Sequence, residues 1–195
     1  MRIKKDTLSK VFTVLLVLFV AAYLYSARVK SWVIMGFMLV GFFKPPIPEV
    51  KPGEKLPQAP AMVVQNNDGK VIDLQQQKGK VVFINFWATW CPPCLAELPL
   101  INDLYLKVKD NPNIIFLAVD VDNNLSRSSQ LLQKNGYQFS AYGGKLNGLP
   151  SQFYSGIIPT TLVIDKKGFI VFNHVSRANY DDDKFAEYII GLSKQ

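Results

Sequence analysis

Lys80 to Trp87 reads KVVFINFW. A strand with one wet face alternates apolar and polar residues with a period of two, and this run scarcely alternates. It therefore predicts a central strand covered on both faces. Ala88-Thr89-Trp90-Cys91-Pro92-Pro93-Cys94 follows directly, and then a helical pattern from Leu95 to Lys109 with apolar residues at 98, 101, 104, 105 and 108. The cysteines at this strand-to-helix junction are the only two in 195 residues, and His174 is the only histidine. A structural zinc centre normally takes four Cys or His ligands, so zinc fingers and ribbons are excluded. One bridge across a two-residue gap constrains little of an unfolded chain, which excludes a disulfide-built scaffold. Cysteines so placed serve reactivity.

The rest of the carboxyl-terminal part extends the same pattern. Ala61 to Gln65 and Val71 to Leu74 flank Asn67-Asp68-Gly69, a hairpin signal. Strands are expected at Ile114 to Val121, Thr160 to Asp165 and Phe169 to Ser176, with helices at Ser126 to Asn135 and Asp181 to Ser193. Helices alternating with buried strands define an α/β fold.

The amino-terminal part has a different solvent. Residues 1–10 are basic, and Val11 to Ala27 holds 17 residues without a charge, about the minimum of ~17 for a transmembrane helix. A cleaved secretory signal fits the same pattern, with Val20-Ala21-Ala22 as its site. The apolar run continues past that site and a second one follows, which favours an uncleaved anchor. Within residues 28–43, Trp32 to Phe43 holds 12 apolar or small residues and rises only ~18 Å against a ~30 Å hydrocarbon core. That suits a helix lying at the membrane interface, and the alternative is a helix of the globular domain. Residues 44–60 carry six prolines in 17 positions, the composition of a semi-rigid tether, and place the start of the domain at 61.

The formal charge of +7 invites a nucleic-acid reading until it is located. Residues 1–30 hold six basic residues and one acidic, whereas 31–195 hold 16 and 14. The excess flanks the membrane segment, so no nucleic-acid partner is expected.

At a helix start Cys91 meets free backbone N–H groups and the positive end of the dipole, which favour a thiolate. Cys94, one turn on, is placed to attack a mixed disulfide formed on Cys91. Pro92 and Pro93 cost little in the first turn and stiffen the loop.

Phe86-Trp87-Ala88-Thr89-Trp90-Cys91-Pro92-Pro93-Cys94, with Ile158-Pro159-Thr160-Thr161 far downstream, resembles the thioredoxin superfamily. More narrowly, the chain is similar to the membrane-anchored, extracytoplasmic TlpA/ResA-like thiol–disulfide oxidoreductases over roughly residues 61–195. The resemblance implies a thioredoxin-like fold with a four- or five-stranded sheet flanked by helices. It also implies an attacking Cys91, a resolving Cys94, and a cis Pro159 facing them. Trp90, Pro92, Pro93, Ile158 and Pro159 are the implied substrate-binding residues. Two departures from cytosolic thioredoxins stand out. Asn85 replaces a buried aspartate six positions before the first cysteine, and it cannot take a proton. Glu97 occupies the position of the TlpA/ResA-like active-site glutamate, i+3 from Cys94, from where it could accept that thiol's proton; the alternative is a solvated first-turn carboxylate.

Other signals have ordinary readings. Asp181-Asp182-Asp183 suits a helix cap, and Asp120 and Asp122 suit a turn. Gly143-Gly144-Lys145 lacks the spacing of a phosphate loop. The aromatic stretch Tyr137 to Tyr154 serves either the core or the substrate groove. A peroxiredoxin would require a T-x-x-C pattern that the clustered cysteines do not fit. The expected activity is exchange with protein thiols and disulfides, with net reduction favoured and electrons from a membrane thiol donor. No cofactor beyond the Cys91–Cys94 disulfide and no metal are expected. An oxidant or isomerase, and a redox-inert peptide-binding module, are the alternatives. A single span with a basic end inside places the domain outside the cytosol. A reporter active only outside the cytosol, fused at Gln195, is expected to be active; an inactive fusion would reject the single-span arrangement.

Overall fold

The computed structural model of the chain describes residues 5–40, 43–48, 55–147 and 149–195. Parts of the basic end (1–4), of the second apolar run (41–42) and of the proline-rich stretch (49–54) lie outside them. Two helices come first, α1 (Lys5–Tyr25) and α2 (Ala27–Leu39), followed by the hairpin β1 (Val63–Asn66) and β2 (Val71–Asp73). The domain continues through β3 (Val81–Trp87), α3 (Pro92–Val108), β4 (Ile114–Asp120), α4 (Leu125–Lys134) and β5 (Ala141–Gly144). It closes with β6 (Thr160–Ile164), β7 (Ile170–Val175) and α5 (Asp183–Lys194).

All seven strands join one mixed sheet in the order β2-β1-β5-β4-β3-β6-β7. β3 runs parallel to β4 and antiparallel to β6, and each of its seven residues is buried. Alternation along β3 deals its side chains to two cores. Phe83 and Trp87 meet Ile101 and Leu104 of α3 and Phe185 and Ile189 of α5. Ile84 and Phe86 meet Leu117, Leu162 and Phe153. Asn85, in phase with Phe83 and Trp87, belongs to the α3 side.

The sheet is wider than the four or five strands that the resemblance implies. β5 extends it and carries the β1–β2 hairpin beyond itself. Gly143 and Gly144 lack the β-branched side chains that announce a strand. At Gly144 the gap has a purpose: a Cβ there would lie 2.5 Å from the Val63 carbonyl oxygen, so glycine lets β1 come close enough to pair.

α1 contains an 18-residue stretch, Leu8–Tyr25, with a mean hydropathy of 2.1 and none of it buried in the protein. By length and composition it is able to cross a membrane. α2 lies against the domain: Met38 is fully buried with Ala96 and Leu100 of α3, while Trp32, Leu39 and Val40 stay exposed. The proline-rich segment is fastened in its described parts. The Phe43 carbonyl accepts the Asn179 N–H, the Pro57 carbonyl accepts the Ile170 N–H, and Ala59 N–H donates to the Gly168 carbonyl. Gln58 bridges Phe169, which covers part of the β7 edge. At the far end of the domain, Lys107 of α3 bonds Asp181 at 2.8 Å and Asp183 at 2.7 Å, and Asp182 caps α5.

Gly144→Ala is expected to destabilise the chain by about 1–3 kcal/mol, the usual cost of forcing atoms into a packed site. Chemical denaturation of the detergent-solubilised protein checks it. A parent-like midpoint would show that β1 and β5 can part without loss.

Candidate active site

The strand ends converge on the cysteines. β3 stops at Trp87 and α3 starts at Pro92, so Cys91 is the N-cap of α3, with Pro92 and Pro93 in the first turn. Cys91 and Cys94 form a disulfide, and the Cys94 N–H points at Cys91 Sγ at 3.3 Å. That N–H and the helix dipole favour negative charge on Cys91 when the pair is reduced. Both cysteines are buried, whereas Trp90 beside them is 55% exposed. The indole is not loose: Trp90 Nε1 donates to Asp122 Oδ2 at 2.6 Å. Asp122 follows β4, in a turn held by Asp120, whose carboxylate accepts the N–H groups of Asp122 and Asn124. Turn chemistry thus explains Asp120, and Asp122 adds a grip on Trp90 that spacing alone does not show.

Ile158 and Pro159 arrive from the opposite side. The Ile158–Pro159 peptide is cis, and it leads into β6. Register places Thr160 across from Phe86, so the start of β6 lies at the end of β3 that leads into the cysteines. Pro159 is buried, Ile158 half-buried, and the preceding Ile157 is 55% exposed. His174 lies in β7 opposite Thr161, with its ring 6.1 Å from that of Phe172.

Glu97 is fully buried, not a solvated first-turn carboxylate. One of its oxygens accepts the Ala178 N–H at 2.7 Å, and the other accepts Asn85 Nδ2 at 3.1 Å. The same Asn85 amide also donates to Thr161 Oγ1 at 2.9 Å. Burial pushes the carboxyl up from 4.5 to about 8, outweighing the hydrogen bonds from Ala178 and Asn85 that favour the charged form. Burial and then the Glu97 charge also push the Tyr180 phenol well above its ordinary range. One turn along α3 from a cysteine, a carboxyl that titrates near neutrality is suited to exchanging protons with a thiol. Among the described residues, no group of three or more His, Cys, Asp or Glu side chains is placed to hold a metal ion.

A thioredoxin-like sheet with a Cys-Pro-Pro-Cys pair at a helix start and a cis-proline loop opposite defines the class. The sequence profile of the AhpC/TSA family matches residues 56–173, and the chain belongs to that family, as a TlpA/ResA-like member of the thioredoxin superfamily. It is 37% identical over 114 residues to the thiol-disulfide oxidoreductase ResA of Bacillus anthracis. That alignment takes in 58% of the chain and 65% of the relative, so the chain spans just under two thirds of the relative's length. Among solved structures, a thiol:disulfide interchange protein of Chlorobium tepidum is 25% identical with a TM-score of 0.59, over 72% of this chain and 98% of that one. StoA of Bacillus subtilis shares the fold at 23% identity and a TM-score of 0.55, over 68% of this chain and 98% of that one.

The raised carboxyl makes a signed prediction. The folded chain keeps on Glu97 a proton that the unfolded chain releases near 4.5, so the stability of the oxidised protein falls as pH rises from 4.5 to about 8 and then levels. Glu97→Gln is expected to flatten that slope in denaturation series across this range. An unchanged slope would place the titration elsewhere.

Proposed function

We propose that the chain is a membrane-anchored thiol–disulfide oxidoreductase that works outside the cytosol as a reductant of protein disulfides. The observation that carries this reading is the Cys91–Cys94 pair at the start of α3 above the buried Glu97. The named relatives are thiol-disulfide exchange proteins and support it.

In the reduced protein the Cys91 thiolate attacks one sulfur of a partner disulfide. A mixed disulfide forms, and the partner's other sulfur leaves as a thiolate. Glu97, in its ionised form, takes the Cys94 proton. The Cys94 thiolate then attacks Cys91 Sγ, the Cys91–Cys94 disulfide forms, and the partner leaves reduced by two electrons. A membrane thiol donor restores the dithiol by the reverse sequence. We assign Trp90, held by Asp122, together with Pro92, Pro93, Ile158 and Pro159 to contacts with an extended partner segment approaching Cys91. The chemistry needs no cofactor beyond the cysteine pair. α1 supplies the membrane attachment, with the basic end inside and α2 at the interface.

Direction depends on potential. A midpoint near that of thioredoxin, ~−270 mV, marks a reductant, and one near ~−120 mV marks an oxidant and would reject the proposed direction. Cys91→Ser is expected to abolish disulfide reduction, and Cys94→Ser to accumulate a mixed disulfide visible on non-reducing gels. Full turnover by Cys91→Ser would reject the mechanism.

A further inference from the structure

Arg177, Ala178 and Asn179 face two ways. Inward, the Ala178 N–H holds the Glu97 carboxylate. Outward, the neighbours of Ala178 grip the segment that leads from the membrane helix. The Arg177 guanidinium lies 4.4 Å over the Phe43 ring, Asn179 N–H donates to the Phe43 carbonyl at 2.6 Å, and Asn179 Nδ2 donates to the Met38 carbonyl at 3.2 Å. Met38 in turn packs on Ala96 and Leu100, and Ala96 directly precedes Glu97 in α3. The turn entering the loop is tightly determined: Ser176 has a φ of 143°, a conformation that side chains other than glycine rarely adopt. α2 also forms one wall of a cleft of about 910 Å³ whose other walls include Thr89 and Leu95, on either side of the cysteines.

We propose that the juxtamembrane segment is a positioning element of the redox site: docking of Met38 and Phe43 fixes the Arg177–Asn179 loop, and the loop fixes the Glu97 carboxylate. The inference rests on the role given above to Glu97. Attachment to the membrane then reaches the chemistry through three consecutive residues, and displacement of the juxtamembrane segment by a partner or by the bilayer would retune proton transfer to and from Cys94.

The groups that face Glu97 are few. Asn85 comes from β3 with Thr161 of β6 behind it, the Ala178 amide comes from the loop, and Tyr180 follows in the same loop. Cys94 lies a turn away on α3. Ala178 is fully buried and forms part of the cover over the carboxylate. Loosening the loop removes one hydrogen bond to the charged form but admits water, and burial is the larger of the two influences. The Glu97 step therefore moves towards acid.

The test uses the full chain in nanodiscs, with the dithiol–disulfide midpoint followed across pH against a thiol buffer. The break that Glu97→Gln removes reports Glu97. Phe43→Ala is expected to shift that break to lower pH by about one unit, a common size for an environmental change. Phe43→Leu keeps the apolar contact with Met38 and loses only the ring beneath Arg177; it shifts the break the same way and carries the test if Phe43→Ala fails to fold. In a Glu97→Gln background, Phe43→Ala is expected to leave the profile unchanged. A parent-like break in both Phe43 variants, or a shift that survives Glu97→Gln, overturns the inference. A parent profile that Glu97→Gln leaves unaltered overturns instead the role of Glu97 on which it rests.

Discussion

A carboxyl group buried out of reach of water imposes conditions on everything around it. Glu97 sits on the helix that the cysteines begin, at a depth where an uncompensated charge would be very costly. It is held by two donors from distant parts of the chain, the Asn85 amide and the Ala178 N–H. Those two bonds require β3 to carry a polar residue at the middle of its length. They also require the segment between β7 and α5 to turn inward at Ala178. The β3–β6 register belongs to the same constraint, because Asn85 pairs across with Thr161 and bonds its hydroxyl.

Around this point the fold gathers groups far apart in sequence. The ends of β3 and β4 and the start of β6 meet at one end of the sheet. The cysteines, the Asp122 carboxylate that holds Trp90, and the cis-proline loop therefore share one surface. Parallel strands whose connections return over the sheet tend to place their functional loops together in this way. Trp90 is an exposed apolar residue there, as is Ile157, and the bond to Asp122 orders the Trp90 indole.

The local signals were legible. The apolar run of β3, the Asn-Asp-Gly hairpin, the prolines at the start of α3 and the acidic cap of α5 each have a short-range cause, and the elements form where those causes place them. The strand β5 was not, because two glycines carry no strand signal, and only Gly144 is there for close approach to β1. Asn85 and Glu97 were visible as residues, but that their side chains meet depends on strand phase and on a loop 81 positions away. Asp122 was legible as a turn residue, and its hold on Trp90 spans 32 positions. The clasp between Phe43 and residues 177–179 joins the segment after α2 to the end of the sheet, a contact that no local pattern encodes.

The fastening of the proline-rich segment at Phe43 and again at Pro57 to Ala59 bears on geometry at a larger scale. A segment pinned at both ends adds nothing to reach. With α2 docked on α3 and only Ser26 between α1 and α2, the distance from α1 to the cysteines is set by an elbow one residue long. In the membrane-anchored arrangement proposed above, a protein held this way would patrol a thin layer: it would meet partners by lateral diffusion, and disulfides standing far above the lipid would lie outside its working height.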